Sequence, residues 1–277
     1  MDDLAFLKKK LFPYAYNILG NIQDSDDVLQ EVFIKYNEKS AESISHQQAY
    51  LIRAVVNGSI NLKKKNDRER RRKVILPEPV VTNQGESDIE LKEILTYSLL
   101  VLLDRLNAKE RAVFLLKEGF DYGHDEIAEI LSISVHNSRQ LLSRAKKKVL
   151  AGKSIPRPPN GDSAQLKKYL EAIRRGDVSL LEQMLSDEVQ VLADGGDKLR
   201  VVAELTTGMS DTVKLITYLY DRYQKDFEIN VGEINHQPAL LFYLGPTLIN
   251  CQVFALGLDE KITHIFSVVD PGKLARI

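Results

Sequence analysis

The first 73 residues place apolar side chains at helical spacing. Between residues 24 and 38 this spacing predicts an amphipathic helix with Asp24 or Ser25 as its N-cap. Acidic residues crowd its first turn, where the helix dipole favours them. The outer face of the helix is polar and carries Asp27, Gln30 and Glu31. Such a face is either an ordinary hydrated surface or a docking surface for a partner.

A second helix is predicted for residues 49–65, and its polar side holds the first candidates for nucleic-acid contact. The polar residues left outside its apolar stripe are Arg53, Asn57 and Asn61. Lys63 and Lys64, also assigned to the outside, begin a basic tract that continues to residue 73. Cations at a helix C-terminus suit the dipole, but this tract extends beyond the helix. The excess indicates phosphate contacts.

Residues 90–150 carry the most specific pattern. Apolar periodicity predicts a short helix at 125–131, a turn, and a longer helix from Val135, with Ala128 at the crossing. This is a helix-turn-helix, whose second helix enters the major groove of DNA. The candidates for base contacts are His136, Asn137, Arg139 and Gln140, and those for phosphate contacts are Arg144, Lys146, Lys147 and Lys148. The alternative, an ordinary helical hairpin, seldom combines such a polar start with a basic end.

The stretch LPEPV at 76–80 interrupts the helical pattern. Pro77 and Pro79 exclude a helix, and Glu78 disfavours a buried strand, so an extended and exposed segment is predicted. Because the prolines stiffen it, the segment can present Leu76 and Val80 to another surface at low entropic cost. The sequence therefore indicates a docking strip within a linker.

The final block changes from helical to strand patterns. Two helical stripes separated at Gly176, a strand entering a glycine turn, a further helix and four strand-like runs follow one another. This order predicts a curved antiparallel sheet with helices on one side, an α+β cone around a pocket. The fold class is therefore multidomain, with two all-α domains, the second a helix-turn-helix, before an α+β domain. The predicted boundaries are 1–73, a linker at 74–89, 90–152, a proline-rich linker at 153–162, and 163–277.

Composition narrows the class of protein. The chain has 277 residues, 44% of them hydrophobic, which is enough for two or three small domains. Its net charge is −1, but residues 1–153 carry an excess of positive charge and the remainder an excess of negative charge. With no apolar run of about 18 residues and with Asp2 directly after Met1, we expect no membrane span and a cytoplasmic protein. The chain has a single cysteine, Cys251, and this count excludes a disulfide framework or a cysteine metal cluster. Cys251 is predicted to be a core residue.

Two stretches resemble the extracytoplasmic-function (ECF) sigma factors. YAYNILGNIQDSDDVLQEVFIKY with QAYLIRAVVN is similar to sigma region 2, and LLDRLNAKERAVFLLKEGFDYGHDEIAEILSISVHNSRQLLSRAKKKV is similar to region 4. The resemblance implies two partners, RNA polymerase core and promoter DNA, and no enzyme activity, cofactor or metal. It also implies that the helix at 135–148 contacts the −35 element. By the same resemblance, Arg53, Asn57 and Asn61 contact the −10 element, and the face of Asp27, Gln30 and Glu31 docks on the clamp helices of the polymerase.

A narrower resemblance is to the ECF sigma factors with a SnoaL-like C-terminal domain. That subgroup has a Trp-Leu-Pro-Glu-Pro signature in the linker and Asp-Gly-Gly-Gly-Lys and Asn-Pro-Asp-Lys-Leu signatures in the extension. This chain has ILPEPV, DGGDK and DPGKL in the same order, with Ile75 in place of the tryptophan. The resemblance implies that the C-terminal domain contacts the linker and regulates the factor. The residues of this contact would be Leu76, Pro77, Glu78, Pro79, Asp194, Gly195, Gly196, Lys198, Asp270, Pro271, Lys273 and Leu274.

Other functions stay open at this point. The chain could be a ligand-responsive helix-turn-helix regulator that acts without polymerase, and co-elution with polymerase core would distinguish the two. The C-terminal pocket could hold an unidentified small molecule. A SnoaL-type enzyme would use an acid-base pair among Asp194, Asp197, His236 and His264, although no spacing fixes a pair. Fold alone does not decide among these functions.

Overall fold

The structure, a computed structural model, describes residues 2–38, 46–69, 75–82, 89–150, 163–196 and 205–277. The chain forms two compact units. Unit 1 contains Met1–Arg71, Gly85–Leu95 and Leu99–Ile155, and unit 2 contains Arg72–Gln84, Thr96–Ser98 and Pro156–Ile277. The linker therefore groups with the C-terminal domain, and the two predicted helical domains form one unit.

Unit 1 begins with three helices: α1 (Asp2–Leu19), α2 (Ile22–Asn37) and α3 (Gln47–Glu69). The predicted N-cap of α2 is wrong. The cap is Asn21, whose side-chain oxygen accepts a hydrogen bond from the Asp24 amide at 2.8 Å. Asp24 and Ser25 lie within the first turn, and Ser25 is buried there while its hydroxyl donates to the Asn21 carbonyl. Asn is as good a cap as Asp or Ser, so residue type alone did not decide the start.

Four more helices follow: α4 (Tyr97–Leu103), α5 (Ala108–Phe114), α6 (His124–Leu131) and α7 (Val135–Leu150). All belong to unit 1 except the first two residues of α4, which belong to unit 2. A 3-10 helix at Ile89–Glu93 precedes α4, and a π-helical turn at Leu115–Gly119 continues α5. Asn107 and Glu110 form a capping box that fixes the start of α5. Between α6 and α7, Ser132 adopts the left-handed conformation (φ 51°, ψ 52°) that closes the turn. The predicted helix-turn-helix is present.

One hydrophobic core joins the two helical halves of unit 1. Leu29, Leu51 and Val55 of the first three helices belong to the same buried cluster as Val113 and Ile127 of α5 and α6. Elements distant in sequence thus share buried apolar area, and burial of such area is the main favourable term in folding. The predicted boundary at residue 73 is therefore not a boundary between separate cores.

Unit 2 is a six-stranded sheet with helices against it. The helices are α8 (Ser163–Arg175), α9 (Val178–Met184), α10 (Met209–Leu219) and α11 (Pro271–Leu274), and a π-helical turn, Tyr220–Gln224, continues α10. The strands are β1 (Leu185–Asp194), β2 (Leu205–Thr207), β3 (Glu228–Ile234), β4 (Gln237–Leu244), β5 (Thr247–Leu256) and β6 (Ile262–Val268). The order across the sheet is β2-β1-β6-β5-β4-β3.

The sheet differs from the predicted one in one pairing. Strands β3 to β6 form the expected antiparallel series, but β1 pairs with β6 in parallel. Two parallel strands must be joined by a long crossover connection, whereas two antiparallel strands can be joined by a short hairpin. The chain between β1 and β6 is long enough for such a crossover. The core lies on the helical side, where the Tyr169 ring packs edge-on against Phe254 at 5.1 Å between centroids. Cys251 is buried as predicted, and burial raises the pKa of its thiol.

The LPEPV segment is extended but not exposed. Leu76 and Glu78 are each only 2% exposed, and Pro77 and Pro79 are also buried. The prediction of exposure is wrong because it considered the residue types alone, without a surface to cover them. Within the described part of the chain, no helix has the length and apolarity needed to cross a membrane.

Candidate nucleic-acid interface and linker site

The start of α7 presents the predicted base-contacting residues to solvent. His136, Asn137, Arg139 and Gln140 are all exposed, while Leu141 and Leu142 face the core. Gln140 Nε2 lies 2.9 Å from His136 Nε2, one turn apart on the same face. The amide of Asn137 donates to Ser134 Oγ at 3.1 Å, so Ser134 caps the helix. This surface can donate and accept hydrogen bonds at base edges.

The basic residues farther along α7 fall into two groups. Lys146 pairs with Glu118 at 2.9 Å, and Lys148 with the buried Glu110 carboxylate at 2.6 Å. Arg144 and Lys147 are exposed, and neither forms an ion pair with another described residue. A cation that is already paired with a carboxylate binds a phosphate less favourably, because that ion pair must first be broken. The structure therefore favours Arg144 and Lys147 for phosphate contacts.

His124 links the two helices of the helix-turn-helix. Its Nδ1 lies 2.9 Å from the hydroxyl of Ser138, which is buried in α7. Desolvation, followed by the positive charges of Arg139 and Lys117, lowers the pKa of His124 below its ordinary value. The neutral form of the imidazole is thus favoured next to the basic surface. Sequence analysis missed this residue, because a lone histidine at a helix start carries no signal for its partner.

On α3 the polar residues differ in how freely they face solvent. Asn61 is exposed and Lys64 is half-buried. Arg53 Nη2 lies 2.5 Å from Glu129 Oε1 of α6, and Asn57 Nδ2 donates to the Ile130 carbonyl at 2.8 Å. The structure therefore brings two of the predicted DNA-contacting residues against the helix-turn-helix itself.

Lys63 was expected on the solvent-facing side of α3, and this expectation is wrong. This residue is 3% exposed, and its ammonium group lies 3.0 Å from Asp67 and 3.3 Å from Asp104. A lysine can be buried when its charge is paired, and here two carboxylates pair it. Sequence periodicity placed Lys63 in a basic tract and could not show the acidic partner 41 residues away.

The polar face of α2 is present, and an exposed apolar residue follows it along the helix. Asp27, Gln30 and Glu31 are exposed on one side, together with Ile34, whose side chain is 53% exposed. Glu31 pairs with Lys35 at 2.5 Å, which raises the pKa of Lys35. The sequence analysis assigned Ile34 neither to the core nor to the polar face. An exposed isoleucine surrounded by charged residues is a usual arrangement for a protein interface.

The linker is bound to unit 2 through one carboxylate and one ammonium group. The Leu76 amide donates to Asp194 Oδ2 at 2.8 Å, and Lys273 Nζ donates to the Leu76 carbonyl at 2.5 Å. Lys273 and Asp194 also pair with each other at 2.6 Å, and their side chains are only 13% and 4% exposed. Leu76 of ILPEPV, Asp194 of DGGDK and Lys273 of DPGKL therefore contact one another at a single point.

Further along, the linker continues as a short addition to the edge of the sheet. Val80 exchanges hydrogen bonds with Asn235, whose side chain accepts at 2.9 Å and whose amide donates at 2.8 Å. Val81 bridges to Ile234 in antiparallel fashion, and the Thr82 hydroxyl lies 2.8 Å from Glu233. Pairing of main-chain groups in this way is how an extended peptide is held at a sheet edge.

Residues outside the signatures complete the site. The Tyr97 hydroxyl donates to the Pro77 carbonyl at 2.6 Å, and its ring lies 5.5 Å from that of Phe266. Buried Glu78 lies 4.0 Å from Arg276. Sequence analysis did not identify Tyr97 or Arg276, and no local pattern distinguishes them from ordinary core and surface residues.

The glycine turn and the C-terminal segment lie against each other. Gly196 has φ +62°, and a Cβ there would come within 2.4 Å of Asp270 Oδ2. The Gly196 amide donates a hydrogen bond to Asp194 Oδ1 at 2.8 Å, and Gly195 between these two residues is buried. Asp270 caps α11, with Pro271 in its first turn and Leu274 buried. Lys198 and Asp197 fall outside the described residues.

The catalytic candidates occupy structural positions. Both oxygens of Asp194 accept hydrogen bonds that hold the turn and the linker. His236 has φ +58° beside the linker, and its amide donates to Thr82. His264 lies in β6, stacked on Phe266 at 5.7 Å. A cleft of about 640 Å³ lies between α9 and α10 and is lined by Val178, Glu182 and Tyr218 among others. A ligand for unit 2 remains a prediction.

Comparison with known proteins gives matches to sigma factors. Residues 97–149 match the family model "Sigma-70, region 4". Over 235 residues, covering 80% of this chain and 74% of the relative, the chain is 28% identical to ECF RNA polymerase sigma factor SigJ of Mycobacterium tuberculosis (strain ATCC 25618 / H37Rv). It is 25% identical over 275 residues to the probable ECF RNA polymerase sigma factor SigI of Mycobacterium tuberculosis (strain CDC 1551 / Oshkosh), covering 95% of this chain and 91% of the relative.

A solved structure agrees with the whole layout. The crystal structure of the M. tuberculosis extracytoplasmic-function sigma factor SigJ matches with a TM-score of 0.79 at 22% identity, covering 99% of this chain and 98% of that one. This confirms the multidomain fold class. The helix-turn-helix and the family match together support the function of an RNA polymerase sigma factor. Over most of its length the chain is similar to ECF sigma factors, and it shares its fold with SigJ.

Proposed function

We propose that this chain is an ECF sigma factor with a SnoaL-like C-terminal domain, which selects promoters with two separate surfaces of unit 1 and is regulated through its linker by unit 2. The observation that carries the second part is the meeting of Leu76, Asp194 and Lys273 at one buried point. The partners are RNA polymerase core and promoter DNA. Promoter recognition takes place at the chromosome, so we expect a cytoplasmic protein without catalytic activity.

In this proposal α7 contacts the −35 element. His136, Asn137, Arg139 and Gln140 supply the base contacts. Arg144 and Lys147, which form no ion pair with a described residue, hold the phosphates. Support comes from their exposure on one side of a helix whose other side is core. Base contacts determine the sequence and phosphate contacts the position, so the two groups should differ in their response to promoter changes.

The −10 element is assigned to the outer side of α3, with Arg53, Asn57, Asn61 and Lys64. Lys63 is left out of this set, since its charge is buried and paired with Asp67 and Asp104. A group held by two carboxylates would lose both on moving to a phosphate.

The α2 face is assigned to the polymerase core. Asp27, Gln30 and Glu31 lie on the same helix as exposed Ile34, and an exposed apolar side chain beside polar ones is suited to protein contact rather than to DNA. Two acidic residues would also repel phosphates. DNA contact is therefore disfavoured on electrostatic grounds.

Unit 2 is assigned a regulatory role. The linker that connects the promoter-contacting parts of unit 1 donates hydrogen bonds to Asp194 and Asn235 and accepts them from Lys273 and Tyr97. Release or retention of this strip would change how freely the chain on either side can move. A regulator that shares a chain with its target needs little intrinsic affinity, because tethering raises the effective concentration.

The test is transcription in vitro from a pool of genomic promoter fragments with polymerase core and the full chain. We expect transcripts from a limited set of promoters only when both proteins are present. The variant Asp27→Lys with Glu31→Lys should lose core binding in size-exclusion chromatography while its helical content is unchanged, because exposed side chains contribute little to stability. The matched control reverses two exposed acids of unit 2, Asp211→Lys with Asp221→Lys. If the α2 variant binds core as the control does, the assigned face is wrong.

A further inference from the structure

We propose that unit 2 forms a homodimer through the exposed face of α9 and α10, so that the α10 helix of each copy packs against the α9–α10 cleft of the other. This is the cleft of about 640 Å³ between these two helices. The inference goes beyond the proposed function and does not rest on it, because its residues belong neither to the promoter-contacting surfaces nor to the linker site.

Three exposed apolar side chains lie at or beside the cleft. Val178 and Tyr218 line it and are 44% and 51% exposed. Tyr223, 52% exposed, packs edge-on against Tyr218 with 6.3 Å between the ring centroids. Single exposed apolar residues are normal, but a group of them marks an interaction surface, and tyrosine is enriched at protein interfaces. This face is therefore suited to contact with a protein.

The charged residues of the cleft indicate which kind of partner fits. Two acids, Glu182 and Asp221, and two bases, Lys214 and Arg222, line it together. Such a balanced set gives no net attraction to DNA or to a partner of one charge sign. It is complementary to a surface that carries both signs in a matching arrangement. A second copy of the same face is such a surface, because a two-fold contact pairs each residue with its counterpart twice.

The spacing of the charges along α10 and its π-helical turn favours an antiparallel arrangement. Lys214 and Asp221 both line the cleft and lie about two helical turns apart. If two copies of the helix cross antiparallel about an axis between Thr217 and Tyr218, Lys214 of each copy faces Asp221 of the other. A parallel arrangement in register would instead bring like charges together.

The present partners of these charges can be exchanged at little cost. Lys214 lies 3.6 Å from Asp211, and Asp221 lies 2.9 Å from Lys225, with all four side chains more than half exposed. Exposed ion pairs contribute little to stability. A contact made by two short helices is small, so we expect a weak dimer with a dissociation constant of about 10–100 μM. At low micromolar concentrations the chain is then a monomer.

Sedimentation velocity of the full chain, over concentrations that span this constant, measures the dimer. We expect a reversible equilibrium that stops at two copies, because a two-fold contact uses the face on both. Lys214→Glu and Asp221→Lys, each alone, should weaken the dimer at least about tenfold, since each replaces two attractive contacts by two repulsive ones. An equimolar mixture of the two variants should dimerise about as tightly as the unchanged chain, because both contacts between unlike copies are attractive.

Charge reversal elsewhere in unit 2 is the matched control. Lys167→Glu on α8 and Asp259→Lys between β5 and β6 alter exposed residues and change the net charge by the same amounts. Both should dimerise as the unchanged chain does. A monomer at every concentration would overturn the proposal and leave the cleft to a different protein or to a small molecule. Equal weakening by the control variants, absence of rescue in the mixture, or growth beyond the dimer would also overturn it.

A disulfide tests the position of the two-fold axis. A cysteine next to the axis lies close to its own counterpart, so Tyr218→Cys should form a covalent dimer on mild oxidation, while burial keeps Cys251 unreactive. Leu258→Cys is the control, because Leu258 is 91% exposed but lies in the turn between β5 and β6. Faster cross-linking at residue 218 than at the more exposed residue 258 would support the arrangement, and an equal or slower rate would contradict it.

Discussion

At the scale of single residues, the buried pair of Lys273 and Asp194 carries the most structural consequence. Lys273→Met keeps the length of the side chain but leaves the Asp194 carboxylate buried with less compensation. Breaking such a pair should lower the free energy of unfolding of unit 2 by about 3 kcal/mol. Urea unfolding of the full chain, followed by a probe in unit 2, measures this.

The same substitution at an exposed pair is the control. Lys214 lies 3.6 Å from Asp211, with side chains 75% and 71% exposed, so Lys214→Met should change stability by less than about 0.5 kcal/mol. Equal effects at the two lysines would mean that the buried pair contributes nothing specific to the linker site.

Ser132 is a second residue whose conformation has a measurable cost. Its φ of 51° is in the left-handed region, where glycine is tolerated and most side chains are strained. Ser132→Gly should therefore stabilise unit 1 by about 0.5–1 kcal/mol. Ser143→Gly, in the exposed interior of α7, should destabilise it by a similar amount because glycine disfavours helix. Thermal unfolding should shift in opposite directions for these two serine variants.

At the scale of elements, α7 should separate base contacts from phosphate contacts. Arg139→Ala should cost about 1–3 kcal/mol at matched promoters and relax the preference at one −35 base pair. Lys147→Ala should instead weaken binding to all sequences and reduce the salt dependence by about one ion. The measurement is affinity for a set of single-base variants of the −35 element at several salt concentrations. Uniform weakening by Arg139→Ala would reassign that residue to a phosphate.

The elements also show where sequence reasoning stops. Periodicity located α6 and α7 because each buries one face, and that leaves a regular pattern in the sequence. Strands β3 to β6 were located by strand-like apolar runs separated by turns, and β4 and β5 are buried on both faces over most of their length. The sequence analysis missed the three-residue β2 and the parallel pairing of β1 with β6, since neither depends on a local pattern. Lys63 was misplaced for the same reason. Its partner Asp104 is distant in sequence, and only the tertiary structure brings the two together.

The linker site was anticipated in outline and not in detail. Three signatures in order indicated that the linker meets the C-terminal domain, and Asp194, Lys273 and Leu76 do meet. Their resemblance to a known subgroup, rather than any physical rule, supplied that expectation. The participation of Tyr97 and Asn235 could not be inferred, because a buried tyrosine and an asparagine in a turn have many ordinary explanations.

At the scale of the whole molecule, the proposed regulation requires the linker to carry a change in unit 2 to the chain segments on either side of it. Pro77 and Pro79 have no amide hydrogen, so replacing both by glycine removes no donor from the site. It increases the freedom of the released strip and so favours release over docking. We expect Pro77→Gly with Pro79→Gly to alter promoter output in transcription assays and to speed hydrogen exchange at the Leu76 and Val80 amides.

Those two amides are direct reporters, because one donates to Asp194 and the other to Asn235. The amides of Cys251 and Val253 in β5 serve as the internal control, since they should keep their protection if unit 2 stays folded. Faster exchange confined to the linker, together with changed transcription, would support regulation through docking. Transcription equal to that of the unchanged chain, despite faster linker exchange, would mean that the docked strip is a structural feature of unit 2 without a regulatory role.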